Sequence, residues 1–369
     1  MSTANKRSPF TDWTVVVPLV ALVALVASWG RDLPGYAVVL VALCLAGAVL
    51  AAVHHAEVVA HRVGEPFGSL VLAVAVTVIE VALIVTLMAD GGPKTSSLAR
   101  DTVFAAVMIT CNGIVGLSLL VGALRNRIAV FNAEGSGTAL ATVATLATLS
   151  LVLPTFTTSK PGPEFSTPQL AFAAVASLAL YGLFVAVQTV RHRDYFLPVE
   201  TEDTGSTPSD DRHAAPPAAG AALLSLVLLV VALIAVVGDA KAVSPTIESV
   251  VADAGLPHAV VGVIIALLVL LPETLAAVRA ARRDRVQTSL NLAYGSAIAS
   301  IGLTIPAIAL ASIWLSGPLL LGLGPTHMVL LALTVVVGAL TVVPGRATLL
   351  QGGVHLVILA AYLFLAISP

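Results

Sequence analysis

Two stretches of this chain decide its fold: FGSLVLAVAVTVIEVALIVTLM, residues 67–88, and VVGVIIALLVLLPETLAAVRAA, residues 260–281. Each carries one acidic residue, Glu80 or Glu273, at its fourteenth position. About 20 apolar residues in helical form span the roughly 30 Å hydrocarbon core of a bilayer, so both stretches read as transmembrane helices with a carboxylate near mid-depth. An ionised side chain there costs about 2.5–3.5 kcal/mol on insertion scales. No Lys or Arg occupies any apolar run at that depth, so neither glutamate has a basic partner for a structural ion pair. A matched pair of such residues points to function.

The rest of the chain has the same character. Of its 369 residues 58% are hydrophobic and 10% charged, against roughly 25% charged in soluble proteins, which excludes a soluble domain. Alternating short β segments are absent, so an outer-membrane barrel is not expected. The apolar runs are Trp13 to Trp29, Tyr36 to His55, Phe67 to Ala89, Thr102 to Leu124, Thr138 to Leu153, Gln169 to Val190, Ala219 to Val237, Ala259 to Val278, Leu290 to Leu315, Met328 to Val343 and Leu349 to Ile367. They predict an all-α, polytopic membrane protein of eleven helices. The first run is longer than a signal-peptide core of about 7–15 residues and is kept as a helix. With the N-terminus in the cytoplasm, thirteen of the 18 Lys and Arg residues fall on the cytoplasmic side, leaving Arg31, Lys94, Arg100, Lys160 and Lys241 opposite. That satisfies the positive-inside rule and places the C-terminus outside, in a plasma-membrane protein.

Laying Glu80 on Glu273 also brings Glu57 close to Glu248. The expected organisation is a tail and extra helix (1–32), a first five-helix repeat (33–190), an acidic cytoplasmic linker (191–218) and a second five-helix repeat (219–369). Five is odd, so the second copy enters from the opposite face, as in transporters with inverted-topology repeats. The linker, with Asp194, Glu200, Glu202, Asp203, Asp210 and Asp211 among Pro, Ser and Thr, reads as a solvated connector.

Carboxylates arriving from opposite faces would meet at the membrane centre, where they could neutralise a divalent cation or bind protons. Ca²⁺ takes six to eight oxygen ligands, so further donors are expected nearby. Thr77 is one turn before Glu80. Ser296, Ser300 and Thr304 make a polar stripe on the helix after Glu273, and Thr110 and Asn112 hold the corresponding helix of the first repeat. Pro272 lacks an N–H and is expected to kink or break its helix beside Glu273, freeing carbonyls. His54, Glu57 and His61 share a face near the cytoplasmic end of the second run, where they form a candidate secondary proton or cation relay. A solvated helix end explains them equally well. His327 and His355 look isolated.

The stretches Gly64-Glu65-Pro66-Phe67-Gly68-Ser69-Leu70 with Thr77-Val78-Ile79-Glu80, and Leu271-Pro272-Glu273 with Asn291-Leu292-Ala293-Tyr294-Gly295-Ser296-Ala297 followed by Pro306, resemble the two conserved repeats of ChaA-type calcium/proton antiporters, in the cation/calcium exchanger superfamily. The resemblance runs over nearly the whole chain. It implies that Glu80 and Glu273 are the paired ion- and proton-carrying carboxylates, with Asn112 and Ser296 beside them. The sequence departs from the wider superfamily in lacking Gly-Asn-Ala before either glutamate and in holding Thr274 where many relatives have His. Na⁺ or K⁺ in place of Ca²⁺ therefore stays open.

The expected function is exchange of cytoplasmic Ca²⁺ for external protons by alternating access, with no cofactor beyond the transported ions. No Walker-type phosphate loop is present. A net charge of −2 gives no footprint for nucleic acid. The expected partners are the bilayer and the transported cations, with no obligate protein partner. An intramembrane metalloenzyme would need the His-Glu-x-x-His spacing, which His54, Glu57 and His61 do not have.

Overall fold

The computed structural model describes residues 12–31, 33–64, 67–89, 96–199, 217–315 and 317–369. Lys6, Arg7, Glu65, Pro66, Lys94 and the linker acids from Glu200 to Asp211 lie outside them. Among the described residues eleven helical segments follow one another: α1 (Trp13–Ser28), α2 (Gly35–Val63), α3 (Phe67–Ala89), α4 (Leu98–Asn126), α5 (Ala133–Phe156), α6 (Thr167–Arg191), α7 (Ala219–Asp253), α8 (Ala259–Arg282), α9 (Val286–Ala311), α10 (Pro325–Val342) and α11 (Leu349–Ile367). The strands among them are β1 (Ile128–Val130) and β2 (Arg346–Thr348). The protein is thus an all-helical membrane protein of one helix plus five and five. Many large apolar side chains point outward, among them Val26, Leu40, Val343 and Leu350 at 59–75% exposure. They suit lipid chains and would be a liability in water.

Two boundaries differ most from the hydropathy reading. α2 continues to Val63, so Glu57, His61 and Arg62 are helical. α7 continues through Asp239, Lys241 and Glu248 to Asp253, where a loop was expected after Val237. Charged residues lower the hydropathy of a segment without lowering its helix propensity much, so a hydropathy window ends too soon. At about 1.5 Å per residue, α7 exceeds the thickness of the hydrocarbon core.

The chain divides into two compact units, residues 1–86 with 211–250 and residues 87–210 with 251–369. In the first, α1 packs along α2, and the buried His55 sets its Nε2 2.8 Å from the Thr14 carbonyl. Val38 and Val41 of α2 bury against Val243 of α7. Gly238 leaves room for Leu25 of α1, whose Cδ1 would lie 2.3 Å from any added Cβ.

The second unit shows reciprocal packing between the two halves. α4 packs on α11 and α9 packs on α6, so the third helix of each half lies against the fifth helix of the other. The loops follow the same rule. β1, after the third helix of the first half, pairs antiparallel with β2, after the fourth helix of the second, with Ile128 opposite Thr348. In return Leu320, after α9, bridges Glu164, after α5. This exchange is what a two-fold relation between inverted halves requires.

Small residues allow the close crossings. A Cβ on Gly352 of α11 would lie 2.7 Å from the Leu120 amide nitrogen and 3.0 Å from the Gly116 carbonyl oxygen of α4. The start of the expected linker is not free. Arg193–Phe196 forms a 3₁₀ turn, Phe196 is buried edge-on to Phe184, and its carbonyl accepts from Asn291 Nδ2 at 2.6 Å.

Candidate ion and proton site

On α3, Thr77 and Glu80 are 6% and 5% exposed, on the same packed face as Leu83 and Ile84, whereas Val74 and Val78 face outward. One turn separates threonine and glutamate, so both follow the buried stripe of the helix. These two residues belong to the first unit, as do His54, Glu57 and His61. Glu57 and His61 are exposed, and His54 rests 6.1 Å from the Trp13 ring and 5.6 Å from His55. The fully packed histidine of this end is His55, which the sequence reading passed over. Among the described residues no group of three His, Cys, Asp or Glu could hold a metal ion.

Glu273, Asn112, Ser296 and Ser300 belong to the second unit, where α4, α8 and α9 pack on one another. Glu273 is half-buried on α8. Pro272 does not break that helix, which runs uninterrupted from Ala259 to Arg282. The carbonyl that Pro272 leaves without an intrahelical donor is that of Leu268, and the Thr274 hydroxyl donates to the Leu270 carbonyl at 2.7 Å, a bond back to its own helix. On α9, Ser296 is half-buried, Ser300 is 4% exposed and Thr304 is 0% exposed. The polar stripe faces inward, and among the described residues the Thr304 hydroxyl has no hydrogen-bond partner.

Helical irregularities occur elsewhere among the described residues, as π-helical turns in α4, in α5 at Thr148–Val152 and in α6 at Val187–Arg191. Residues Ile109–Ile114 form a π-helical turn, fully buried, that contains Thr110 and Asn112. Such turns recur at functional positions because they re-aim side chains without ending the helix. Thr110 is spent locally, donating to the Ala106 carbonyl at 2.7 Å. Asn112 anchors a polar network between helices. Its Nδ2 donates to Thr334 Oγ1 at 2.9 Å, and its Oδ1 lies 3.2 Å from His355 Nδ1. His355 Nε2 lies 3.2 Å from Thr341 Oγ1, and the Thr334 hydroxyl donates to the Leu330 carbonyl at 2.8 Å. The directions close if His355 is neutral, with a proton on Nδ1 given to Asn112 and Nε2 accepting from Thr341.

His355, which looked isolated in sequence, is thus 0% exposed and joins α4, α10 and α11. Its signal was a titratable residue inside an apolar run, the same signal that marked the glutamates. His355→Leu would leave Asn112 Oδ1 and the Thr341 hydroxyl unsatisfied. The expected cost is about 1–3 kcal/mol, read as a lower melting temperature of the purified protein, and His355→Gln should recover part of it.

A bundle of transmembrane helices with mid-helix glutamates and inward hydroxyl stripes, closed by exchanged contacts between two halves, defines the class of ion-coupled secondary transporters. The chain belongs to the sodium/calcium exchanger protein family, whose description fits residues 33–190 and 224–368. It is 47% identical over 360 residues to the y4hA protein of Sinorhizobium fredii (97% of this chain, 96% of that one). It is 36% identical over 369 residues to the sodium-potassium/proton antiporter ChaA of Escherichia coli (98% and 99%). Among solved structures, the H⁺/Ca²⁺ exchanger CAX superposes with a TM-score of 0.68 at 18% identity, covering 95% of this chain and 86% of that one. Native YfkE gives 0.71 at 16% identity, covering 97% and 99%. The protein is a cation antiporter of this superfamily.

Proposed function

We propose that the protein is a proton-coupled cation antiporter of the cell membrane that exports cytoplasmic Ca²⁺ against inward protons at a site shared by Glu80 and Glu273. Thr77, Asn112, Ser296 and Ser300 are the proposed neighbouring donors. The observation that carries the reading is the matched pair of mid-helix glutamates in corresponding helices of the two halves, α3 and α8. Both carboxylates must be ionised to hold a divalent cation, and protons neutralise both, so cation and protons exclude each other at one site. Coupling follows without a separate gate. The sign is fixed by this competition: lower pH on the cation side weakens cation uptake, and raising it strengthens uptake. In this reading the N-terminus is cytoplasmic, the C-terminus is outside, and 33–190 and 219–369 are the repeats. His54, Glu57 and His61 are the proposed relay at the cytoplasmic mouth.

A second reading, Na⁺ or K⁺ exchanged for protons, is favoured by the name of the ChaA relative and by the donor set. Asn112 Oδ1 is engaged by His355, and Thr110 and Thr274 bond to their own helices. That leaves fewer oxygens than the six to eight Ca²⁺ prefers. Proteoliposomes with an acidic lumen and an internal pH dye separate the readings. Ca²⁺ should raise lumenal pH at lower concentration than Na⁺ or K⁺ if the first is right, with the order reversed if the second is. No response to any of the three would overturn both.

A further inference from the structure

Asp239 on α7 is a buried titratable residue that this exchange chemistry leaves unused. It is 0% exposed, and among the described residues neither carboxylate oxygen has a hydrogen-bond partner. The register that lays Glu80 on Glu273 lays Ala46 on Asp239, in the interior of α2 and far from either helix end. The residue therefore sits at membrane depth, although its sequence neighbourhood resembles a polar loop.

Among the described residues, no countercharge is seen against it. From α1 the adjacent contact is Leu25 against Gly238, and α1 has no ionisable side chain between Trp13 and Ser28. From α2 the Cys44 thiol lies within electrostatic reach of the carboxyl, and an acid beside a thiol gains nothing by ionising. On α7, Lys241 is exposed and Glu248 accepts from the Ser244 hydroxyl at 3.0 Å. An ionised carboxylate in such a place is strongly disfavoured, while the neutral acid is tolerated. An aliphatic side chain would fill the position with no polar atoms to desolvate, so the acid is useful only if it changes protonation state elsewhere in the cycle.

We propose that Asp239 is a third proton-carrying carboxyl of the antiporter, holding its proton while buried as here and giving it to water when α7 becomes hydrated. The step breaks the Asp239 O–H bond, leaves a carboxylate and delivers one proton to water; reburial reverses it. This rests on the proton-coupled reading above.

Two measurements test it. Infrared difference spectra of the purified protein in lipid, wild type minus Asp239→Asn, should contain a protonated-carboxyl stretch that shifts in D₂O and survives Glu80→Gln and Glu273→Gln. In proteoliposomes, with cation uptake followed by tracer and protons by dye, Asp239→Asn should still exchange but move fewer protons per cation than wild type. Absence of the carboxyl band from the difference spectrum overturns the proposal, and so does an unchanged proton-to-cation ratio across pH. If Asp239→Asn does not fold, Asp239→Glu should displace the band and keep the wild-type ratio, and an undisplaced band overturns the assignment. Failure of the antiport reading would show in the wild type itself, as cation addition without proton movement, whereas the infrared result is independent of transport.

Discussion

Glu80→Gln and Glu273→Gln are each expected to reduce cation-dependent proton flux to the level of protein-free vesicles, while the purified variants remain folded. Glutamine keeps the size of the side chain and mimics a glutamic acid that can never lose its proton. With one carboxylate fixed in its neutral form the site has lost half its charge for a divalent ion and one of its two exchangeable protons, and the ionised pair that holds the cation cannot form. The neutral amide is also easier to insert than the ion it replaces, so a defect in folding is not expected, and monodispersity in detergent serves as the control. Glu80→Asp and Glu273→Asp keep the charge but withdraw it by one methylene, and should retain coupled flux at raised cation concentration. Intact exchange in either glutamine variant would dismiss the paired-carboxylate site.

The largest expected loss of stability comes from Gly352→Val. A Cβ there would stand 2.7 Å from the Leu120 nitrogen and 3.0 Å from the Gly116 oxygen. Both are backbone atoms inside a helix and cannot turn aside as a side-chain tip can. Either α11 moves away from α4 or the variant does not assemble. Overpacking a close core costs about 1–3 kcal/mol for small additions, and valine adds more than one methyl group. Separation would also pull His355, three residues on, from Asn112. The expected results are a strong fall in the yield of monodisperse protein and, in whatever folds, a lower melting temperature. Gly353→Ala is the matched control, since nothing lies within 4 Å of its added Cβ. Equal stability of Gly352→Val and wild type would mean that the helices do not cross here.

The helix count was legible because hydropathy dominates in a chain whose spans must each satisfy their own backbone. Glu80 and Glu273 stand out in the sequence for the same reason, as acids against apolar surroundings, and their role is the proposal made above. Less could be read where tertiary partners decide. Nothing local to His355 announces Asn112, Thr334 or Thr341, and the three-residue strands β1 and β2 pair across most of the second unit. Asp239 was misplaced because it is followed by Lys241 and Glu248, which made a continuous helix look like a loop. Pro272 pointed to a break, yet α8 runs through it, whereas the buried π-helical turn at Ile109–Ile114 has no proline to mark it. The roles of the individual polar residues at the proposed exchange site belong to the transport assays above.

The packing of α11 on α4 bears on how the protein is made. Synthesis runs from the N-terminus, so the third helix of the first half enters the membrane long before the residue that completes its polar network. Until His355 emerges, the Asn112 carbonyl faces lipid, water or a translocation partner in place of its final neighbour. The C-terminal helix then acts as the closing piece of assembly. Chains arrested or truncated before Leu349 should be recognised by membrane quality control as unfinished, although ten of their eleven helices are present.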